Sequence, residues 1–228
     1  MQWDWEEYPV LRLDLNISRY EEPGMLDKII DNLFSEWEKK YEVEAQSDDM
    51  SVRFRNIIKT AHEKTGRQVV ILVDEYDKPL VVNLNKNDLF EHYRAKLAGV
   101  YANFKSGAEH IRLVFLTGVS RFSKLSVFPD LNNIQDITFL NEYADICGIT
   151  EQELTDYLWP GIDSLAEKYR VTADEAHTLL KQNYDGYRFA EEGSDIYNPW
   201  SLLNCLSQRK IGNYWNETGL PTLLAETR

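Results

Sequence analysis

Val69-Val70-Ile71-Leu72-Val73-Asp74-Glu75 decides the reading of this chain: five apolar residues in a row, then two adjacent acids. A strand without polar alternation is expected to be covered on both faces, as in the parallel sheet of an α/β domain. Two further runs read as strands, Val10-Leu11-Arg12-Leu13-Asp14-Leu15 and Ile111-Arg112-Leu113-Val114-Phe115-Leu116. Helical patterns fill the gaps. One spans Met25 to Tyr41 and puts Leu26, Ile29, Ile30, Leu33, Trp37 and Tyr41 on one face. A second runs from about Ser51 to Lys64 through Phe54, Ile57, Ile58 and Ala61, and stops at Thr65-Gly66, where Gly can take the left-handed C-terminal conformation. A third, Asp88 to Lys105, spaces Leu89, Phe90, Tyr93, Leu97, Val100, Tyr101 and Phe104 as a helix. The order β-α-α-β-α-β predicts parallel strands joined by crossover helices.

Beyond about Thr150 the strand signal stops and helix starts take over. Thr150-Glu151-Gln152-Glu153 and Thr172-Ala173-Asp174-Glu175 both read as capping boxes, and Asn198-Pro199 offers a cap with Pro at the first helical position. Tyr184-Asp185-Gly186-Tyr187-Arg188-Phe189 holds an Asp-Gly turn between aromatics and reads as a short hairpin or loop. The expected division is an α/β core over 1–149 and a helical subdomain over 150–228.

A chain of 228 residues with 43% hydrophobic and 28% charged residues can bury a full core, which excludes a disordered or fibrous class. Its 38 acids against 25 bases leave a net charge of −13, a field that repels nucleic acid and anionic lipid at long range. Cys147 and Cys205 form no C-x-x-C pair, which argues against a disulfide framework or zinc site and fits a reducing cytoplasm. No apolar run reaches the roughly 18 residues of a membrane span, and the first residues are acidic where a signal peptide is basic.

The acid pair at the end of a buried-type strand has a chemical reading. In P-loop ATPases an Asp at this tip (the Walker B position) holds Mg²⁺, usually through water, and the next Glu polarises the attacking water. Ligand sites in open α/β sheets lie beyond the carboxyl ends of the strands, which is where Asp74 and Glu75 are expected. The plainer alternative is a surface turn in which Asp77 and Lys78 are solvated charges closing on Pro79. The third strand runs into Leu116-Thr117-Gly118-Val119-Ser120-Arg121-Phe122, where Thr117 or Ser120 can sense a terminal phosphate and Arg121 can pair with it. The alternative there is a hydrogen-bonded turn with a surface Arg. A phosphate-binding loop, G-x-x-x-x-G-K-[ST], is missing, since none of the 11 glycines precedes a lysine. Asp74-Glu75-Tyr76-Asp77-Lys78 has the wrong spacing for a PD-(D/E)XK nuclease. His62, His92, His110 and His177 stand singly, and the aromatics of the last third suit a helical core better than base stacking.

Several stretches together resemble one family. Glu7-Tyr8-Pro9-Val10-Leu11-Arg12-Leu13-Asp14, Val73-Asp74-Glu75-Tyr76-Asp77-Lys78-Pro79-Leu80 and Leu116-Thr117-Gly118-Val119-Ser120-Arg121-Phe122-Ser123-Lys124 follow in its order. So do Asp130-Leu131-Asn132-Asn133-Ile134, Cys147-Gly148-Ile149-Thr150-Glu151, Tyr197-Asn198-Pro199-Trp200-Ser201 and Trp215-Asn216-Glu217-Thr218-Gly219. Over nearly its whole length the chain looks like the AAA-ATPase-like domain of bacterial proteins such as those of Bacteroides. Family members begin with a strand and a phosphate-binding loop carrying R-R-F-G-K-S, and commonly end in a PD-(D/E)XK nuclease-like domain.

The resemblance implies an α/β, P-loop NTPase-like parallel sheet with flanking helices, incomplete at its N-terminus and followed by a helical lid subdomain. It implies ATP and Mg²⁺ as cofactors, Asp74 as the metal-side acid, Glu75 as the base, and Thr117, Ser120 and Arg121 as the nucleotide-sensing region. A missing loop strand exposes a sheet edge, open to self-association or to a partner protein. The chain is then a piece of a longer protein, a shortened relative, or the product of a mistaken start codon, and is expected to bind ATP weakly or not at all by itself. The alternative function is a non-enzymatic interaction module on a degenerate ATPase scaffold.

Overall fold

The apolar run Val69 to Val73 is the central strand of a three-stranded sheet. In the computed structural model, residues 6–44, 47–119 and 133–214 are described. The chain forms two compact units, Met1–Gln135 and Asp136–Arg228. The first unit runs β1 (Val10–Asp14), α1 (Met25–Tyr41), α2 (Met50–Thr65), β2 (Val69–Asp74), α3 (Lys78–Val81), α4 (Asn87–Tyr101), α5 (Asn103–Ser106) and β3 (Ile111–Leu116). The sheet order is β1-β2-β3 and both pairings are parallel, as the crossover helices require. Register sets Asp14 opposite Asp74 and Leu116 opposite Val73.

One face of the sheet makes the core. Leu11 and Leu13 of β1 and Val69, Ile71 and Val73 of β2 are buried with Ile30, Phe34, Phe54, Ile57 and Leu97 of the helices. Phe34 and Phe54 stack with ring centroids 5.1 Å apart. Each such large side chain contributes about 1.5–3 kcal/mol by leaving water. Arg53 of α2 joins α1 through a bidentate pair with Glu38, at 2.7 and 2.8 Å, and a further contact to Asp31. The expectation of two covered faces needs correction: burial along β2 alternates between buried and half-buried. The described helices of this unit share a single core, so they coat one side.

Helix boundaries follow local chemistry. Asp49 caps α2 by accepting from the Val52 amide at 3.0 Å, and Gly66 ends it in the left-handed region at φ +67°. The pattern expected to run from Asp88 to Lys105 is broken into α4 and α5. Asn103 is buried at the break, and its amide donates to the Val100 and Ser51 carbonyls at 3.0 and 3.1 Å. A side chain that bonds backbone in this way competes with helix continuation.

The second unit runs β4 (Ile149–Thr150), α6 (Glu151–Tyr157), α7 (Trp159–Tyr169), α8 (Ala173–Tyr184), β5 (Ile196–Tyr197) and α9 (Pro199–Gln208). Both capping boxes form, and Asn198 caps α9 through the Ser201 amide at 2.9 Å. The unit is not wholly helical, because β4 and β5 pair antiparallel and Tyr187 bridges Ile196. Pairs this short lack the apolar periodicity that marks a strand in sequence.

Glu151 ties this unit together. It accepts from the Tyr197 hydroxyl at 2.7 Å and faces His177 at 2.6 Å and Lys181 at 3.6 Å. Burial opposes its ionisation, yet these three partners outweigh burial and hold the carboxyl below its ordinary range. Its stabilising effect is therefore full above the unfolded pKa and is lost as pH falls through the folded one. Glu151→Gln is expected to cost about 1 kcal/mol at neutral pH, discounted for partial exposure. Urea unfolding checks it: the gap between variant and parent should close as pH drops below the carboxylate range.

Candidate functional site

Parallel strands end together, and here their carboxyl ends collect polar side chains. Asp14 closes β1, Asp74 closes β2, and Thr117 follows β3 directly. Thr117 binds the second strand twice through backbone, its N–H donating to the Val73 carbonyl and its carbonyl accepting from the Tyr76 N–H, both at 2.9 Å. That anchors its hydroxyl, which donates to Asp74 Oδ1 at 2.6 Å and accepts from the Glu75 N–H at 3.4 Å. Arg12 stands on the same side of β1, with its guanidinium 3.3 Å from Asp14 and 3.7 Å from Asp74.

Glu75 sits where the chain leaves the strand, with φ at +55°. A left-handed backbone at a residue with a Cβ costs about 1–2 kcal/mol, and such strain gathers at functional sites when the surrounding structure imposes it. Burial raises the Glu75 carboxyl pKa first, followed by the charge of Asp77; Asp74 and Asp14 push the same way, and Lys78 opposes them. A carboxylate made more basic by its surroundings is better suited to accept a proton. Lys78 opens α3 and donates to Asn16, whose own N–H donates to Asp14 Oδ1 at 2.9 Å.

The surface-turn alternative fails for Asp77, which is fully buried. Its Oδ1 accepts from the Val119 N–H at 3.2 Å, joining the turn after β2 to the segment after β3. Gly118 lies between them. A Cβ there would stand 2.5 Å from the Tyr76 ring and 2.6 Å from Asp77 Oδ1, so the close approach of the two turns requires glycine.

The structure thus brings together Asp74, Glu75 and Thr117. Ser120 and Arg121 lie outside the described residues, as do Asp130-Leu131-Asn132 and Trp215 to Gly219. Sequence reasoning assigned no role to Arg12, Asp14 or Asn16 and offered a solvated turn charge as the alternative for Asp77. The available signal was that two strands each end in Asp, but only the parallel register makes those ends neighbours. The histidines are not all single in space: His62 Nδ1 and His110 Nδ1 are 3.0 Å apart, at the opposite end of β3 from this site.

The donor set suits a hard divalent cation. Among the described residues no group of three or more His, Cys, Asp or Glu is arranged to hold a metal alone. A Mg²⁺ near Asp74 would therefore take most of its ligands from water and a bound phosphate, its usual preference. Among the described residues no helix is long and apolar enough to cross a membrane.

Fold and site together define a mixed α/β protein with an acidic site at the carboxyl ends of a parallel sheet. A family profile described as "Predicted AAA-ATPase" matches residues 1–128, and the chain belongs to this AAA-ATPase-like family. The chain is 34% identical over 226 residues to an "Uncharacterized protein in vnfD 5'region" of Azotobacter chroococcum mcd 1. That alignment takes in 99% of this chain and 42% of the relative, so the chain spans less than half the length of the relative it matches. No solved structure matches it.

Proposed function

We propose that this chain carries the acidic residues, Asp74 and Glu75, of a cytoplasmic ATP-dependent switch. Asp74 is the Mg²⁺-side acid, Glu75 the base that polarises water, and Thr117 the group that senses the terminal phosphate through its bond to Asp74. Ser120 and Arg121 complete the sensing region. Bound Mg²⁺ would neutralise charge on the phosphates. The observation that carries this reading is the 2.6 Å bond between Thr117 and Asp74 at the tips of adjacent parallel strands, with Glu75 next in the chain. The phosphates themselves need N–H groups and a lysine that this sequence does not supply in loop form. In longer relatives the switch would be coupled to a nuclease-like domain.

Calorimetry tests the proposal at two levels. The 228-residue chain should show no micromolar binding of Mg-ATP, and micromolar binding would overturn the requirement for an added loop. A longer form carrying that loop should bind Mg-ATP, and Asp74→Asn should weaken binding at least about tenfold with Mg²⁺ present and little in its absence, the loss of one cation-paired carboxylate. Equal binding by variant and parent in both conditions would remove Asp74 from the metal site. The second reading, an interaction module without turnover, is favoured by the exposure of Val10, Leu113 and Phe115 on one face of the sheet. It takes over if the longer form binds no nucleotide.

A further inference from the structure

Asp14 and Asp74 divide their carboxylate oxygens in the same way. Asp14 Oδ1 accepts from the Asn16 N–H at 2.9 Å, and Asp74 Oδ1 accepts from the Thr117 hydroxyl at 2.6 Å. Oδ2 of both then faces one nitrogen, Nη2 of Arg12, at 3.3 and 3.7 Å. Parallel register produces this convergence. Asp14 lies opposite Asp74, and Arg12, two residues earlier on β1, stands on the same side of the strand as Asp14. A guanidinium therefore sits where two carboxylate oxygens meet, and oxygen donors of that charge also suit a hard divalent cation. The hold is loose. The Arg12 side chain is 63% exposed and the longer contact lies beyond hydrogen-bond distance, so each pairing contributes little and can be exchanged.

We propose that Arg12 is an exchangeable counter-ion of the site. It holds the Asp14 and Asp74 carboxylates together while no metal is bound, and it must withdraw from Asp74 before Mg²⁺ can reach Oδ2. The inference rests on the placement of Asp74 on the metal side, and it adds Asp14 as a second carboxylate at that position. Charge decides what the exchange does. A guanidinium between two carboxylates leaves a net negative charge there, whereas a divalent ion in its place neutralises both. Lys78 plays a different part, since its ammonium donates to Asn16. A phosphate arriving with the cation offers the released guanidinium a charge-assisted partner, so exchange is easier for a metal–phosphate complex than for the bare ion. Arg12 thereby sets how readily a bare ion enters the site.

Titration of the 228-residue chain with Mn²⁺ alone, an ion that shares the preference of Mg²⁺ for carboxylate and water, tests the exchange. Arg12→Gln should bind Mn²⁺ about fivefold more tightly than the parent, the worth of exposed ion pairs, while Arg12→Lys, which keeps the charge, should stay within about twofold of the parent. Adding Asp14→Asn to Arg12→Gln should cancel the gain. An arginine that only braces the strand ends would not give this order, because loosening them improves no metal site. Equal or weaker binding by Arg12→Gln would overturn the proposal. Magnetic resonance decides the matter without a variant. In the parent, Mg²⁺ should shift the Arg12 Nε–H signal together with that of the Asp74 carboxyl carbon. Movement of Asp74 without Arg12 overturns the exchange alone, whereas Mg²⁺ that moves neither group overturns the exchange together with the placement of Asp74 on the metal side.

Discussion

Glu75→Gln, in a form of the protein that binds nucleotide, is expected to lower turnover by about 10²–10⁴-fold and leave nucleotide bound. The amide keeps the shape of the side chain and its left-handed backbone, and removes only the proton acceptor. The parent should also show a defined pH response. Burial, Asp77, Asp74 and Asp14 hold the Glu75 carboxyl above its ordinary value, so turnover should rise with pH through a midpoint above the usual carboxylate range and then level off. For folding the sign is opposite. A carboxyl with a raised folded pKa binds its proton more tightly when folded, so it favours the fold at low pH and disfavours it once ionised. Glu75→Gln should therefore be slightly more stable than the parent at neutral pH. Full turnover in the variant would remove Glu75 from the role of base, and a less stable variant would contradict the electrostatic account.

Gly118→Ala is expected to destabilise the first unit by about 1–3 kcal/mol, the usual cost of forcing atoms into a packed site. The added carbon meets the Tyr76 ring and the Asp77 carboxylate, which must move and release the Val119 N–H. Thr117 precedes it, so its bond to Asp74 should loosen and nucleotide affinity in a longer form should fall with stability. Gly99→Ala is the control. Gly99 lies in α4 with nothing within 4 Å of an added Cβ, so alanine should be neutral or stabilise by up to about 1 kcal/mol. Denaturant unfolding of the two variants separates the effects, and equal midpoints would refute the close approach of the two turns.

Local pattern alone determined much of this protein. The apolar runs became β1, β2 and β3; Met25 to Tyr41 became α1 at the expected ends; and the caps at Thr150, Thr172 and Asn198 formed as their residue types dictate. Such signals rest on residues within one or two turns of each other, which the order of the chain already places together. The acid pair was also legible, since Asp74 and Glu75 end an unmistakable strand. Tertiary structure decided the rest. Only register brings Asp14 beside Asp74 and Thr117 onto its carboxylate, because each strand arrives from a distant part of the chain. Burial of Asp77 depends on two turns meeting across the sheet, while the split of α4 from α5 depends on Asn103 finding Ser51 in α2. The half-burial of Val70 and Leu72 could not be read from β2 either, because both are apolar whether or not a layer covers them. Composition records what a face can bury, and only packing settles whether it is buried.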